Sequence, residues 1–124
     1  MTRSFEDLVA WQKAHEFVVC VYRATATFPQ NESFGLTSQF RRAAVSIAAN
    51  IAEGYKKISK ADKLRFFNIS QGSIEECRYY IRLAFDLNYI KEEVRQELQI
   101  SLYNCSKLLN SYCQGVINNN AATS

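Results

Sequence analysis

Helix breakers are almost missing from this chain. One proline, Pro29, and four glycines punctuate 124 residues, and these two residue types are the strongest local interrupters of secondary structure. Such long uninterrupted segments exclude a sheet of many short strands and favour long helices. The length fits one domain with enough interior for a real core. Hydrophobic residues at 48% and charged residues at 22% match an ordinary globular protein rather than a disordered one. No apolar run approaches the roughly 18 residues of a membrane span. The start, MTRSFEDLVAW, lacks the apolar core of a secretion signal, so a cytoplasmic location is expected.

Periodicity divides the chain into four helices. Helix one is predicted over Ser4–Thr27, with Ser4 as N-cap and Asp7 as its capping-box partner. Leu8, Trp11, His15, Val18, Tyr22 and Thr25 keep three-four spacing along one face. Val9, Phe17, Cys20, Val21 and Ala24 widen the apolar surface beyond the one stripe a bundle monomer needs, which predicts a second contact surface. Helix two spans Leu36–Tyr55. Leu36, Phe40, Ala44, Ile47 and Ile51 form its large face, and Ala43, Ala48, Ala49 and Ala52 a slim one. Gly54 serves either to end this helix or to admit a close neighbour. Helix three, Lys60–Leu87, starts behind a Ser59 cap and buries Phe67, Ile74, Cys77, Ile81, Ala84 and Phe85. Gly72 lies mid-helix, where glycine costs about 1 kcal/mol relative to alanine, so a packing role is expected. Helix four, Lys91–Ile117, presents Val94, Leu98, Leu102, Cys105, Leu109, Tyr112 and Val116. The fold expected is all-α, an antiparallel up-down-up-down four-helix bundle over residues 1–117, with residues 118–124 as a disordered tail.

Chemistry-bearing residues are sparse. The single histidine, His15, has no Glu-x-x-His motif around it, so a di-metal carboxylate site is not expected. The four cysteines, Cys20, Cys77, Cys105 and Cys113, form no C-x-x-C pair and read as small core hydrophobes. No nucleophile-base pair or glycine-rich phosphate loop is legible. No catalytic residue, metal or cofactor is assigned. A polar cluster of Arg42, Asn50, Glu53, Ser73 and Glu76 is expected to fix helix register, with Arg42 solvated or paired to Glu75 or Glu76.

Charge is unevenly spread. Between Arg41 and Arg65 seven basic residues face only Glu53 and Asp62, whereas the rest of the chain has eight basic and ten acidic residues. Arg41, Lys56, Lys57, Lys60, Lys63 and Arg65 are therefore the candidate nucleic-acid contacts, RNA and DNA alike. Several copies of this segment on one rim would strengthen the case, because phosphate binding follows summed charge.

The runs FEDLVAWQKA, FGLTSQFRRAAVSIAANIAEGY and FFNISQGSIEECRYYIRLAFDLNYI resemble the 23S ribosomal RNA intervening-sequence proteins, small bacterial four-helix bundles. RRAAVSI followed by NIAEG is the most specific part. That family in turn resembles the accessory protein of diversity-generating retroelements. The resemblance implies a ring-shaped homopentamer without established enzymatic activity, and it raises a second function, an adaptor that docks a polymerase-like protein partner. The family pattern often has proline where this chain has Ala48, so a straighter second helix is expected here.

Overall fold

A computed structural model describes residues 4–119. It contains four helices, α1 (Val9–Thr25), α2 (Leu36–Lys56), α3 (Lys60–Asp86) and α4 (Glu92–Asn118), and short 3-10 turns at Phe5–Asp7 and Gln30–Glu32. No strand occurs among the described residues. At 1.5 Å per residue the 27-residue α3 and α4 are each about 40 Å long.

Contacts along the helices fix their directions. Ser46 meets Ser73, Ile47 meets Ser70 and Gly54 meets Phe67, so α2 and α3 are antiparallel. Arg41, early in α2, reaches Tyr22 and Thr25 at the end of α1. Lys60 and Gln71 of α3 reach Ile117 and Asn110 of α4. The fourth seam, between α1 and α4, closes the bundle.

Three phenylalanines, Phe17, Phe40 and Phe67, are fully buried, with Ile47, Ile51, Ile74, Ile81, Leu98, Leu102 and Leu109 around them. Each such side chain contributes about 1.5–3 kcal/mol through removal from water. The large face expected for α2 is buried in full, and α2 continues unbroken through Ala48. Cys77, Cys105 and Cys113 are buried free thiols, and Cys20 is half-buried.

Three expectations need correction. First, α1 begins at Val9 and not Ser4. Ser4 and Asp7 do form a capping box, but it caps the 3-10 turn, and Leu8 then takes an extended conformation (φ −75°, ψ 124°) that interrupts the helix. Second, the buried stripe of α1 is Ala10, Ala14, Phe17, Val21 and Thr25, rotated from the one predicted. His15 and Tyr22 are exposed, and Trp11 stacks on His15 at the flank. The small residues Ala10 and Ala14 take the inward positions of its first two turns. Third, Gly72 is exposed, and a Cβ there meets nothing within 4 Å. Nothing in the structure explains this glycine. Of the tail predicted over residues 118–124, Asn118 is helical and Asn119 caps α4, and residues 120–124 lie outside the described residues.

Candidate functional site

The short turn joining α2 to α3 gathers most of the predicted basic residues at one pole of the bundle, with the C-terminus of α4 beside them. The carbonyl ends of α2 and α4 both carry partial negative charge there. The first turn of α3 answers both. Lys63 Nζ donates to the carbonyls of Tyr55 (2.6 Å) and Gly54 (3.4 Å), and Lys60 Nζ donates to the Ile117 carbonyl (2.9 Å). Burial lowers the Lys63 pKa. Lys57 pairs with Glu53 at 3.8 Å and lies 5.0 Å from the centre of the Phe66 ring. Arg65 pairs with Asp62 at 3.6 Å and lies 4.9 Å from the same ring. Lys56 is exposed and forms no ion pair among the described residues. Ile58, between these lysines, is 88% exposed.

Arg41 lies apart from this pole. Its Nε donates to Thr25 Oγ1 at 2.8 Å, Nη2 reaches the Tyr22 carbonyl at 3.4 Å, and the guanidinium sits 4.6 Å from the centre of the Tyr22 ring. Thr25 in turn donates to the Val21 carbonyl at 2.7 Å. Arg41 is thus committed to tying the end of α1 to the start of α2.

The predicted polar cluster is only partly assembled. Ser73 Oγ donates to Ser46 Oγ at 2.9 Å, and the Asn50 amide donates to the Ser46 carbonyl (2.8 Å) and hydroxyl (3.0 Å). Ser46, which joins the two, was missed by sequence reading. Its position four residues before Asn50, on one helix face, was the available signal. Ser70, fully buried, donates to the Ile47 carbonyl at 2.9 Å and extends the seam. The other three members take no part in these bonds, although Arg42 and Glu76 line the same open groove as Ser46 and Ser73. Glu53 pairs with Lys57, and Glu76 accepts from Tyr80 at 3.4 Å. Arg42 is exposed and bonds neither acid; Glu75 is taken by Arg78 at 2.8 Å. The reason is register. With a three-residue turn, Ser73 comes level with Ser46, and Glu53 comes level with the Phe66–Phe67 region. Burial and then the Glu76 carboxylate raise the Tyr80 pKa.

At the opposite pole Glu32 joins two connections. Its Oε1 accepts from the Leu36 backbone N–H at 3.0 Å, capping α2, and its Oε2 accepts from the Tyr89 hydroxyl at 2.8 Å. Phe28 packs on the Tyr89 ring at 5.3 Å. These hydrogen bonds, led by the backbone one, hold the Glu32 carboxyl below its ordinary value, and the same contact raises Tyr89.

No group of three metal-ligating side chains comes together among the described residues. Nor is any described helix long and apolar enough to cross a membrane. What the surface offers is a lysine-rich pole, a hydroxyl-and-amide seam, and open grooves between helices.

Residues 6–111 match the 23S rRNA-intervening sequence proteins. The chain belongs to this family. A solved structure agrees: a protein of unknown function from the S23 ribosomal protein family of Bacteroides thetaiotaomicron superposes with a TM-score of 0.76 at 28% identity, covering 86% of this chain and 99% of that one. No curated protein matches. Neither the family's description nor that of the solved protein names an enzymatic activity.

Proposed function

We propose that this family member is a non-enzymatic assembly protein: it self-associates, as the homopentamer that the resemblance implies, and the clustered basic poles bind nucleic acid. The observation that carries the reading is the large apolar side chains left in mid-helix. Val45, Tyr79, Ile100 and Tyr103 are 41%, 59%, 63% and 59% exposed. These residues lie well away from the loops, on faces that a solitary bundle would give to charged residues.

Clustering supports the second half. Each copy brings Lys56, Lys57, Lys60, Lys63 and Arg65 to one end, and summed charge governs phosphate binding. Part of that charge is committed inward, on helix carbonyls and intrahelical acids. Affinity per copy is therefore modest, and assembly is what raises it. Light scattering of the purified protein tests assembly, with a multiple of 14.2 kDa expected; a monomer at about 100 μM, far above the Kd of ordinary specific contacts, refutes it. Salt-titrated anisotropy with fluorescent single-stranded RNA and duplex DNA tests the second half. Binding should weaken linearly in logarithmic salt and flatten in the Lys56→Glu/Lys57→Glu variant. Absence of binding at low salt, or an unchanged variant, refutes it.

A further inference from the structure

The turn between α2 and α3 holds out an unusual side chain. Its middle residue is Ile58, 88% exposed, and among the described large hydrophobics only Phe34, at the other pole, is barer. Ile58 belongs neither to the core nor to the side chains packed against it. Burial on folding therefore supplies no reason for an isoleucine at this tip.

The cations around Ile58 fall into two classes. Lys60 and Lys63 are turned onto helix carbonyls. Lys56, Lys57 and Arg65 face outward. Lys56 forms no ion pair or hydrogen bond among the described residues. Lys57 and Arg65 stand 3.8 and 3.6 Å from Glu53 and Asp62, longer than a hydrogen bond, and such exposed pairs hold weakly. Both cations converge on the half-buried Phe66 ring, at 5.0 and 4.9 Å from its centre. Arg65 keeps 64% of its side chain exposed while resting there. A flat guanidinium with a ring behind it and solvent before it is a stacking surface. Acids temper the charge: beside Glu53 and Asp62, the Phe5–Asp7 turn packs on α2 near Lys56 and brings Glu6 and Asp7 to that flank. With so small a surplus of charge, what the turn adds to phosphate attraction decides what it binds.

We propose that the α2–α3 turn takes single-stranded nucleic acid in preference to duplex. This rests on the nucleic-acid half of the proposed function and names its substrate class. Ile58 and the Arg65 guanidinium pack on the faces of unpaired bases, and Lys56 and Lys57 meet neighbouring phosphates. A duplex hides base faces in its stack and offers only edges, in a major groove that admits a helix or a two-stranded ribbon. A three-residue turn is neither, and against the outer phosphates Ile58 would strip water from charge without return. An open strand presents a π-face at every base, which apolar and guanidinium groups cover whatever the sequence.

Fluorescence anisotropy tests this with one labelled DNA strand of about 12 nucleotides, the scale of a single-strand site, alone and annealed to its complement at the same salt. The strand should bind more tightly. Charge alone gives the reverse order, because a duplex carries one charge per about 1.7 Å of axis. Ile58→Ser and Arg65→Lys should each weaken strand binding about fivefold or more. Both keep every charge, so duplex affinity and the salt slopes should stay as in wild type. Both positions are exposed, so the helical circular dichroism should be unaltered. If neither strand nor duplex binds at low salt, the nucleic-acid reading of this pole falls, and this inference with it. If both bind, and the duplex binds as tightly or either variant matches wild type on the strand, that reading stands and the preference for single strands is overturned. Vesicles of equal parts phosphatidylcholine and phosphatidylserine give the counter-test. Capture that Ile58→Ser abolishes, beside unchanged strand binding, overturns the inference in favour of a lipid surface.

Discussion

Substituting alanine at two glycines should move stability in opposite directions. At Gly72, exposed and mid-helix, an added Cβ meets nothing within 4 Å. The substitution should stabilise the fold by about 0.5–1 kcal/mol through helix propensity and a less flexible unfolded chain. At Gly54 the same methyl would stand 2.5 Å from Phe67 Cε1, 2.9 Å from Phe67 Cδ1 and 3.1 Å from Phe66 Cβ. Carbon atoms prefer about 3.5–4 Å. The Phe67 ring has nowhere to retreat, being fully buried and set edge-on to Tyr112 at 5.3 Å between centres. Overpacking of this sort costs about 1–3 kcal/mol, and near the end of α2 the propensity gain offsets little of it. Gly54→Ala should therefore be destabilised by about 1–2 kcal/mol, about 1.5–3 kcal/mol below Gly72→Ala. Urea unfolding followed by circular dichroism, at one fixed protein concentration, should separate the two midpoints by about 1.5 M for an m-value near the small-protein range. A Gly54→Ala protein as stable as wild type would refute close packing as the reason for this glycine.

The remaining predictions concern the ties between elements. Arg41→Met keeps the aliphatic stem but loses the Thr25 hydrogen bond and the Tyr22 ring contact, and should lower stability by about 1–2 kcal/mol in the same urea assay; an unchanged midpoint would show the tie to be idle. Glu32 is depressed below 4.5 in the folded state, so its contribution is present above that pH and lost as pH falls through the lower folded value. Tyr89 is raised above 10.0, so its contribution is present below that pH and lost as pH climbs through the higher folded value. Tyr89→Phe should shrink both the alkaline and the acidic slope of Tm against pH, with Tyr80 and the buried thiols keeping the rest of the alkaline one, whereas a uniform drop with both slopes intact contradicts this assignment. Burial pushes the Cys105 thiol up to about 12 and Cys77 further still. Native protein at pH 8 should accordingly react quickly with a thiol reagent at Cys20 alone, as peptide mapping would show, and all four should react once it is unfolded.

Helix positions were legible because the apolar periodicity is long and the breakers few. The large face of α2 was read correctly residue by residue, and so were Leu98, Leu102, Cys105, Leu109 and Val116 of α4, where Val94 and Tyr112 are only half-buried and Cys113 takes a core place outside the predicted stripe. Where the chain is greasy on more than one side, periodicity alone did not say which stripe turns inward. In α1 the small Ala10 and Ala14 were passed over for Trp11 and His15, although close approach of neighbouring helices favours the smaller side chains. The start of α1 was misplaced for a different reason: a capping box looks the same in front of a 3-10 turn as in front of an α-helix. The basic segment was visible as composition, but the inward use of Lys60 and Lys63 was not. It depends on which carbonyl ends lie beside the first turn of α3, and that is set by tertiary arrangement. The polar seam failed in part through register, a property of the three-residue turn that spacing within each helix does not record.

That turn, Lys57–Ser59, also bears on how copies of the chain can go wrong. The reversal is three residues long, and beside the α2–α3 seam it is held by the Ser59 hydroxyl, accepting from the Asp62 N–H at 3.1 Å, and by Lys63 on the Gly54 and Tyr55 carbonyls. Were the reversal to straighten, the first hairpin of one molecule would find its complementary half in another, giving an exchanged dimer with every native seam rebuilt between chains. Ser59 and Lys63 thus guard together against entanglement, and losing both ties at once should loosen the reversal more than Ser59→Ala alone.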